Sequence, residues 1–195
     1  HGDVVKFVVE NANEEIGVDV KKFGNIEAMP GDTIRYDFSD IRNESNVPLD
    51  NFYWRDILPT DAVTLRIIST GTWNEELKYT IYYKTNLVSE ERALAERLST
   101  STNNTIDCSA SAVKLKAGEV ITEIRFDFGT VQPGFEPLTN PYITCLVHPD
   151  LPHEYRFKNC TDVGGERGDE WVIDKDCWVT VIYAVPKGKL PKTGN

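Results

Sequence analysis

Apolar positions recur with a period of two along most of the chain. Ile16, Val18 and Val20 alternate with Gly17 and Asp19. After the turn Pro30, Gly31, Asp32, the residues Ile34, Tyr36 and Phe38 alternate with Arg35 and Asp37, as a half-buried strand requires. Val4, Val5, Phe7, Val8 and Val9 form a short apolar strand ahead of these, and strand patterns follow at 49–58, 63–68, 77–84, 120–128, 142–147, 155–157 and 178–185. Only Ser89 to Leu98 (SEERALAERL) predicts a helix, with Ser89 as N-cap and Ala93, Leu94 and Leu98 on one face. Many strands and one short helical insertion predict an all-β antiparallel sandwich. The same alternation gives Lys22 the parity of Ile16, Val18 and Val20, so that it could point into the core.

With 195 residues and 40% hydrophobic content, the chain can build a substantial core. One enlarged domain over 16–185 fits, with an N-terminal strand and linker at 1–15 and a flexible tail at 186–195. The net charge of −10 makes nucleic acid or an anionic membrane an unsuitable partner. No apolar run reaches the roughly 18 residues of a membrane span, and His1, Gly2 and Asp3 do not begin a signal peptide. The expectation is a mature, exported fragment with its targeting ends removed.

Four cysteines allow three pairings. Cys160 with Cys177 would close a hairpin-like segment, because 155–160 and 177–183 read as strands around a Gly-rich acidic turn; Cys108 with Cys145 is then the second pair. Free buried thiols are the alternative.

Signals for catalysis are thin. His148, Asp150, His153 and Glu154 lie close together, but Pro149 and Pro152 make that stretch a loop rather than a rigid ligand face. The acidic run from Asp162 to Asp176 is rich in oxygen ligands without the spacing of an EF-hand. No nucleophile elbow, phosphate loop or zinc-protease motif occurs, so the reading assigns no catalytic residue, metal or cofactor. Most of the aromatics read as core.

The chain closes on Leu190, Pro191, Lys192, Thr193 and Gly194. This pentapeptide resembles the LPxTG sorting signal of Gram-positive surface proteins. The resemblance implies that a sortase thiolate attacks the carbonyl of Thr193 and cuts before Gly194, and that an amine of peptidoglycan or a pilin lysine then takes the acyl group. It further implies covalent attachment to the wall of a Gram-positive bacterium, as a stalk or adhesion module; the alternatives are a pilus subunit, anchoring or polymerising, and the non-catalytic part of a wall-anchored enzyme. The chain would be a sortase substrate, with any host ligand left unnamed. Pro186, Gly188 and Pro191 among lysines leave nothing to pack, so the signal should be reachable.

A second resemblance rests on Gly31, Asp32, Tyr36, Asn43, Leu49, Asp56, Leu58 and Pro59, with GEVITEIRFDFGTV and the later Phe157, Asn159 and Thr161. These resemble the immunoglobulin-like conserved-repeat domain of bacterial surface proteins, and so imply an immunoglobulin-like sandwich. Related adhesin and pilin modules join a first-strand Lys to a last-strand Asn or Asp beside a buried carboxylate, which makes Lys22 the isopeptide candidate. The last strand, read as 178–185, offers no Asn or Asp, so Lys22 is expected to end its strand with its ammonium in solvent.

Overall fold

A computed structural model describes residues 13–185. The strand pattern at 4–9 and the sorting signal at 190–194 lie outside the described residues. In chain order the elements are β1 (Val18–Phe23), β2 (Glu27–Ala28), β3 (Thr33–Asn43), β4 (Leu49–Ile57), β5 (Val63–Ser69), β6 (Thr72–Trp73) and β7 (Lys78–Thr85). There follow β8 (Arg92–Ser99), β9 (Thr105–Asp107), α1 (Ala110–Val113), β10 (Ile121–Val131), β11 (Pro137–Thr139), β12 (Tyr142–Val147), β13 (Arg156–Arg167) and β14 (Glu170–Ile182). One sheet runs β1-β3-β12-β5-β9 and the other β2-β14-β13-β4-β10-β7-β8, with β6 and β11 as a small ribbon. The fold is the expected all-β antiparallel sandwich. Its ladders are antiparallel apart from the short β2–β14 pairing.

Inward residues of each strand meet between the sheets. Ile34, Tyr36 and Phe38 of β3, Phe52 and Trp54 of β4, and Ile124, Phe126 and Phe128 of β10 are all buried. Trp54 sits at the centre, with ring centroids 4.6 Å from Phe38 and 4.5 Å from Phe126, and its indole N–H donates to Thr161 Oγ1 at 2.8 Å. An aromatic core of this kind supplies large buried area together with edge-on contacts.

Two sequence expectations give way here. Ser89 to Leu98 is not a helix: Arg92–Ser99 is the edge strand β8, paired to β7, and among the described residues the only helical turn is α1. Leu94 and Leu98 share a face in a strand as they do in a helix, and pairing to β7 overrides intrinsic propensity. Arg97 at φ 55° breaks the regular edge, and Arg92 and Glu91 form ion pairs with Glu119 and Arg125. Charge and irregularity are common protections for an exposed sheet edge. The acidic stretch expected as a turn is ladder as well: β13 and β14 pair without interruption from Arg156↔Val181 to Arg167↔Glu170. Gly168, at φ 61°, starts the two-residue turn at the tip.

Glu119 fixes the turn leading into β10. Its carboxylate accepts the Lys116 N–H, the Thr85 hydroxyl and the Arg92 guanidinium, which together pull its pKa from the ordinary 4.5 down to about 2, the backbone bond contributing most. A depressed carboxylate stabilises the fold above its unfolded pKa and loses that contribution as pH falls towards its folded value. Glu119→Gln is therefore expected to be less stable than the parent at pH 7, the gap closing between about pH 4.5 and pH 2; urea midpoints across that range check it.

Candidate functional site

The site lies where β1 crosses the open seam between the two sheets. β1 pairs with β3 on one side. On its other side it meets β14 through side chains: the amides of Val20 and Lys22 donate to Asp174 Oδ2 (3.1 Å) and Asp176 Oδ2 (2.8 Å). Those carboxylates belong to the acidic run, and the structure uses them as caps for an edge strand. Asp162 in the same run forms a two-pronged ion pair with Arg55 and accepts the Tyr53 hydroxyl. Burial, followed by hydrogen bonding to Asp174, raises the pKa of Asp19 at the rim.

Lys22 points inward from this seam, and the expectation that it reaches solvent is corrected: its side chain has no exposed area. Nζ donates to Asp56 Oδ1 at 2.7 Å and stands 4.3 Å and 4.2 Å from the ring centroids of Tyr36 and Phe38. The other oxygen of Asp56 accepts the Asn159 side-chain amide at 3.0 Å, and the same amide donates to Ile57 O at 3.1 Å. Asn159 is fully buried, and its Oδ1 has no hydrogen-bond partner among the described residues. Amine and carboxamide thus sit on the two oxygens of one buried carboxylate. They come from opposite sheets, with Lys22 on β1 and Asp56 and Asn159 on the neighbouring strands β4 and β13.

Burial drives the pKa of Lys22 down, opposed in part by the Asp56 charge. A desolvated lysine is more readily neutral, the form in which an amine is nucleophilic. Tyr36 lies over the amine and its phenol is pushed up by burial, so it remains protonated. Gly24, two residues beyond Lys22, leaves room for that ring, because a Cβ there would lie 2.8 Å from Tyr36 and 2.9 Å from Trp178.

The sequence placed Lys22 on the correct face but sought its acceptor on the last strand. The acceptor-type residue is on the penultimate strand, where Phe157, Asn159 and Thr161 alternate inward. Asp56 and Asn159 were both visible within the repeat resemblance; what joins them to Lys22 is the stacking of one sheet on the other.

Cys160 and Cys177 are directly opposite in the hairpin and form a disulfide. Cys108 and Cys145 do not pair, and that expectation is corrected: both are buried free thiols. Cys145 is on β12 and Cys108 follows β9, with β5 between those strands, so two strand spacings of about 4.8 Å separate them, beyond the span of a disulfide. Burial pushes the Cys108 thiol up to about 12. His148 is engaged with Thr64 and His153 with the Ala184 amide, so the two histidines serve different neighbours. Among the described residues, no group of three or more His, Cys, Asp or Glu side chains is placed to hold a metal, and no helix is long and apolar enough to cross a membrane.

Fold and site define a two-sheet β-sandwich with a buried lysine, carboxylate and carboxamide bridging its layers. No protein-family model and no curated protein sequence matches the chain. Among solved structures it is similar to the collagen-binding subdomain of the Enterococcus faecalis surface protein ACE, at 14% identity and a TM-score of 0.33, over 84% of this chain and 95% of the other. It is similar also to a collagen-binding domain from a Staphylococcus aureus adhesin, at 12% identity and a TM-score of 0.36, over 85% and 98%. A third likeness is to AggA, the major subunit of aggregative adherence fimbriae type I from Escherichia coli, at 7% identity and a TM-score of 0.35, over 88% and 96%.

Proposed function

We propose that this chain is a structural module of a bacterial surface protein, a stalk or adhesion domain, which locks itself with an isopeptide bond between Lys22 and Asn159. The observation that carries this reading is the buried Lys22–Asp56–Asn159 cluster, in which a carboxylate holds an amine against a carboxamide away from water. Neutral Lys22 Nζ attacks Asn159 Cγ, forming the new C–N bond. Asp56 takes the proton from Nζ and delivers it to Nδ2, which leaves as ammonia. The Lys22 amine becomes part of a buried amide, and Asp56 ends the reaction in the state in which it began.

The test is intact mass. A matured chain should weigh less than its sequence by one ammonia, and a digest should contain a branched peptide joining Lys22 to Asn159. Full sequence mass in a folded sample would sink the proposal.

The tail at 190–194 supports the finer part of the reading, that a sortase acylates itself on Thr193 and transfers the chain to peptidoglycan or to a pilin lysine at the cell surface. Incubation with a sortase and a glycine nucleophile should release Gly194-Asn195 and join the nucleophile to Thr193; an unchanged tail would count against anchoring by this route. A pilus subunit shares this chemistry and is distinguished by assembly into covalent ladders.

A further inference from the structure

Asn159 and Cys160 are consecutive residues. Asn159 faces the core and Lys22, whereas Cys160 has the opposite parity on β13 and is bonded to Cys177 of β14. β1 is the first described strand and β14 the last. Tension applied between the two ends of the chain therefore meets both cross-links in one unbroken line: β1 as far as Lys22, across the isopeptide to Asn159, over one peptide bond to Cys160, through the disulfide to Cys177, and out along β14.

We propose that the two cross-links work in series as a covalent strap, and that the disulfide is a redox-operated extension element within it. This rests on the Lys22–Asn159 bond proposed above. With both links closed, residues 23–158 and the hairpin tip 161–176 carry no load, however large the sandwich they build. Opening the disulfide changes only the second part. Load then enters at Asn159 and leaves at Trp178, which face each other across the ladder near the open end of the hairpin. Pulled there, the β13–β14 pairs from Thr161↔Asp176 to Arg167↔Glu170 open one after another, and the β13–β4 pairs from Cys160↔Ile57 to Glu166↔Asp50 are stripped with them. The released chain between Cys160 and Cys177, a separation of 17 residues, is worth about 60 Å of contour. Cys160 and Cys177 are half-buried rather than sealed in the core, unlike Cys108 and Cys145. A thiol reductant supplies the two electrons and two protons that convert the cystine to two thiols, and is itself oxidised to a disulfide.

The experiment is single-molecule stretching of the full chain between handle proteins fused to its two ends, with and without a dithiol reductant. The oxidised chain should show no release from the domain, and the reduced chain one gain of about 60 Å. Asn159→Ala, kept oxidised, should instead release about 480 Å, the chain between Lys22 and Cys160. A release of that size from the oxidised parent would mean that the isopeptide is absent, and the underlying reading would fall. Absence of that release together with no gain on reduction, or with the 60 Å gain already present before reduction, would overturn the series arrangement alone. The Cys160→Ser, Cys177→Ser double variant should match the reduced parent without any reductant.

Discussion

Asp56→Ala is expected to abolish the proposed loss of ammonia and to lower the melting temperature by about 15–40 °C. Two effects combine. The proposed cross-link would close a loop comprising most of the sandwich, and a closed loop of about 100 residues is worth roughly 5 kcal/mol through the unfolded chain. Removing one partner of a buried pair costs about 3–5 kcal/mol more, because Lys22 is left without its counter-charge. At about 2–4 °C per kcal/mol for a domain of this size, the sum gives the stated range. Asn159→Ala separates the two effects: it also prevents bond formation but leaves Lys22 on Asp56, so its loss should be smaller by the cost of the orphaned lysine. Thermal melts of the two variants beside the parent, with intact masses taken on the same samples, check both parts. Equal melting temperatures for all three proteins would remove the energetic role assigned to the cluster.

Trp54→Ala should be the most damaging substitution outside the cluster, at about 3–5 kcal/mol, or a fall of about 6–20 °C. The indole fills the space between Phe38 and Phe126 and satisfies Thr161, so truncation leaves a cavity and takes away the hydroxyl's indole donor. Trp54 and Asp56 share a face of β4, and a collapsing cavity would also shift the carboxylate. Cross-linking in this variant should therefore be slowed as well as the fold weakened. Urea midpoints with an unchanged slope, and mass spectra taken over time after synthesis, report the two effects separately.

The sequence carried the architecture and most of the ingredients of the site, but not their meeting. Period-two alternation was sufficient for β3, β4 and β10, since a strand with one buried face repeats its apolar residues at that interval. It was ambiguous for residues 89–98, where Leu94 and Leu98 suit either period, and only the partner strand β7 decides. It failed for 162–176 because polar inward positions there serve neighbouring backbone: Asp174 and Asp176 cap the amides of β1, a use that looks from sequence like a solvated turn. Parity allowed Lys22 to face inward, while Asn159 entered only through the repeat resemblance, beside Phe157 and Thr161. Which strand lies opposite which is a property of sheet stacking that no single-strand pattern encodes. The second cysteine pairing failed for a related reason, since strand order, rather than chain spacing, places β5 between the two thiols.

The side-chain caps that fasten β1 to β14 also set a timetable. The amide of Lys22 is held by Asp176, which follows it by more than 150 residues, so the anchoring of β1 beside the cluster is complete only once β14 has been made and docked. A chain that is truncated, or whose sheets have mis-registered, would hold Lys22 away from its carboxylate, in water, protonated and inert. On the proposed Lys22–Asn159 bond, covalent closure would act as a certificate of correct assembly, granted once and not withdrawn, and a population of such molecules would sort itself into finished domains and unfinished chains open to proteolysis.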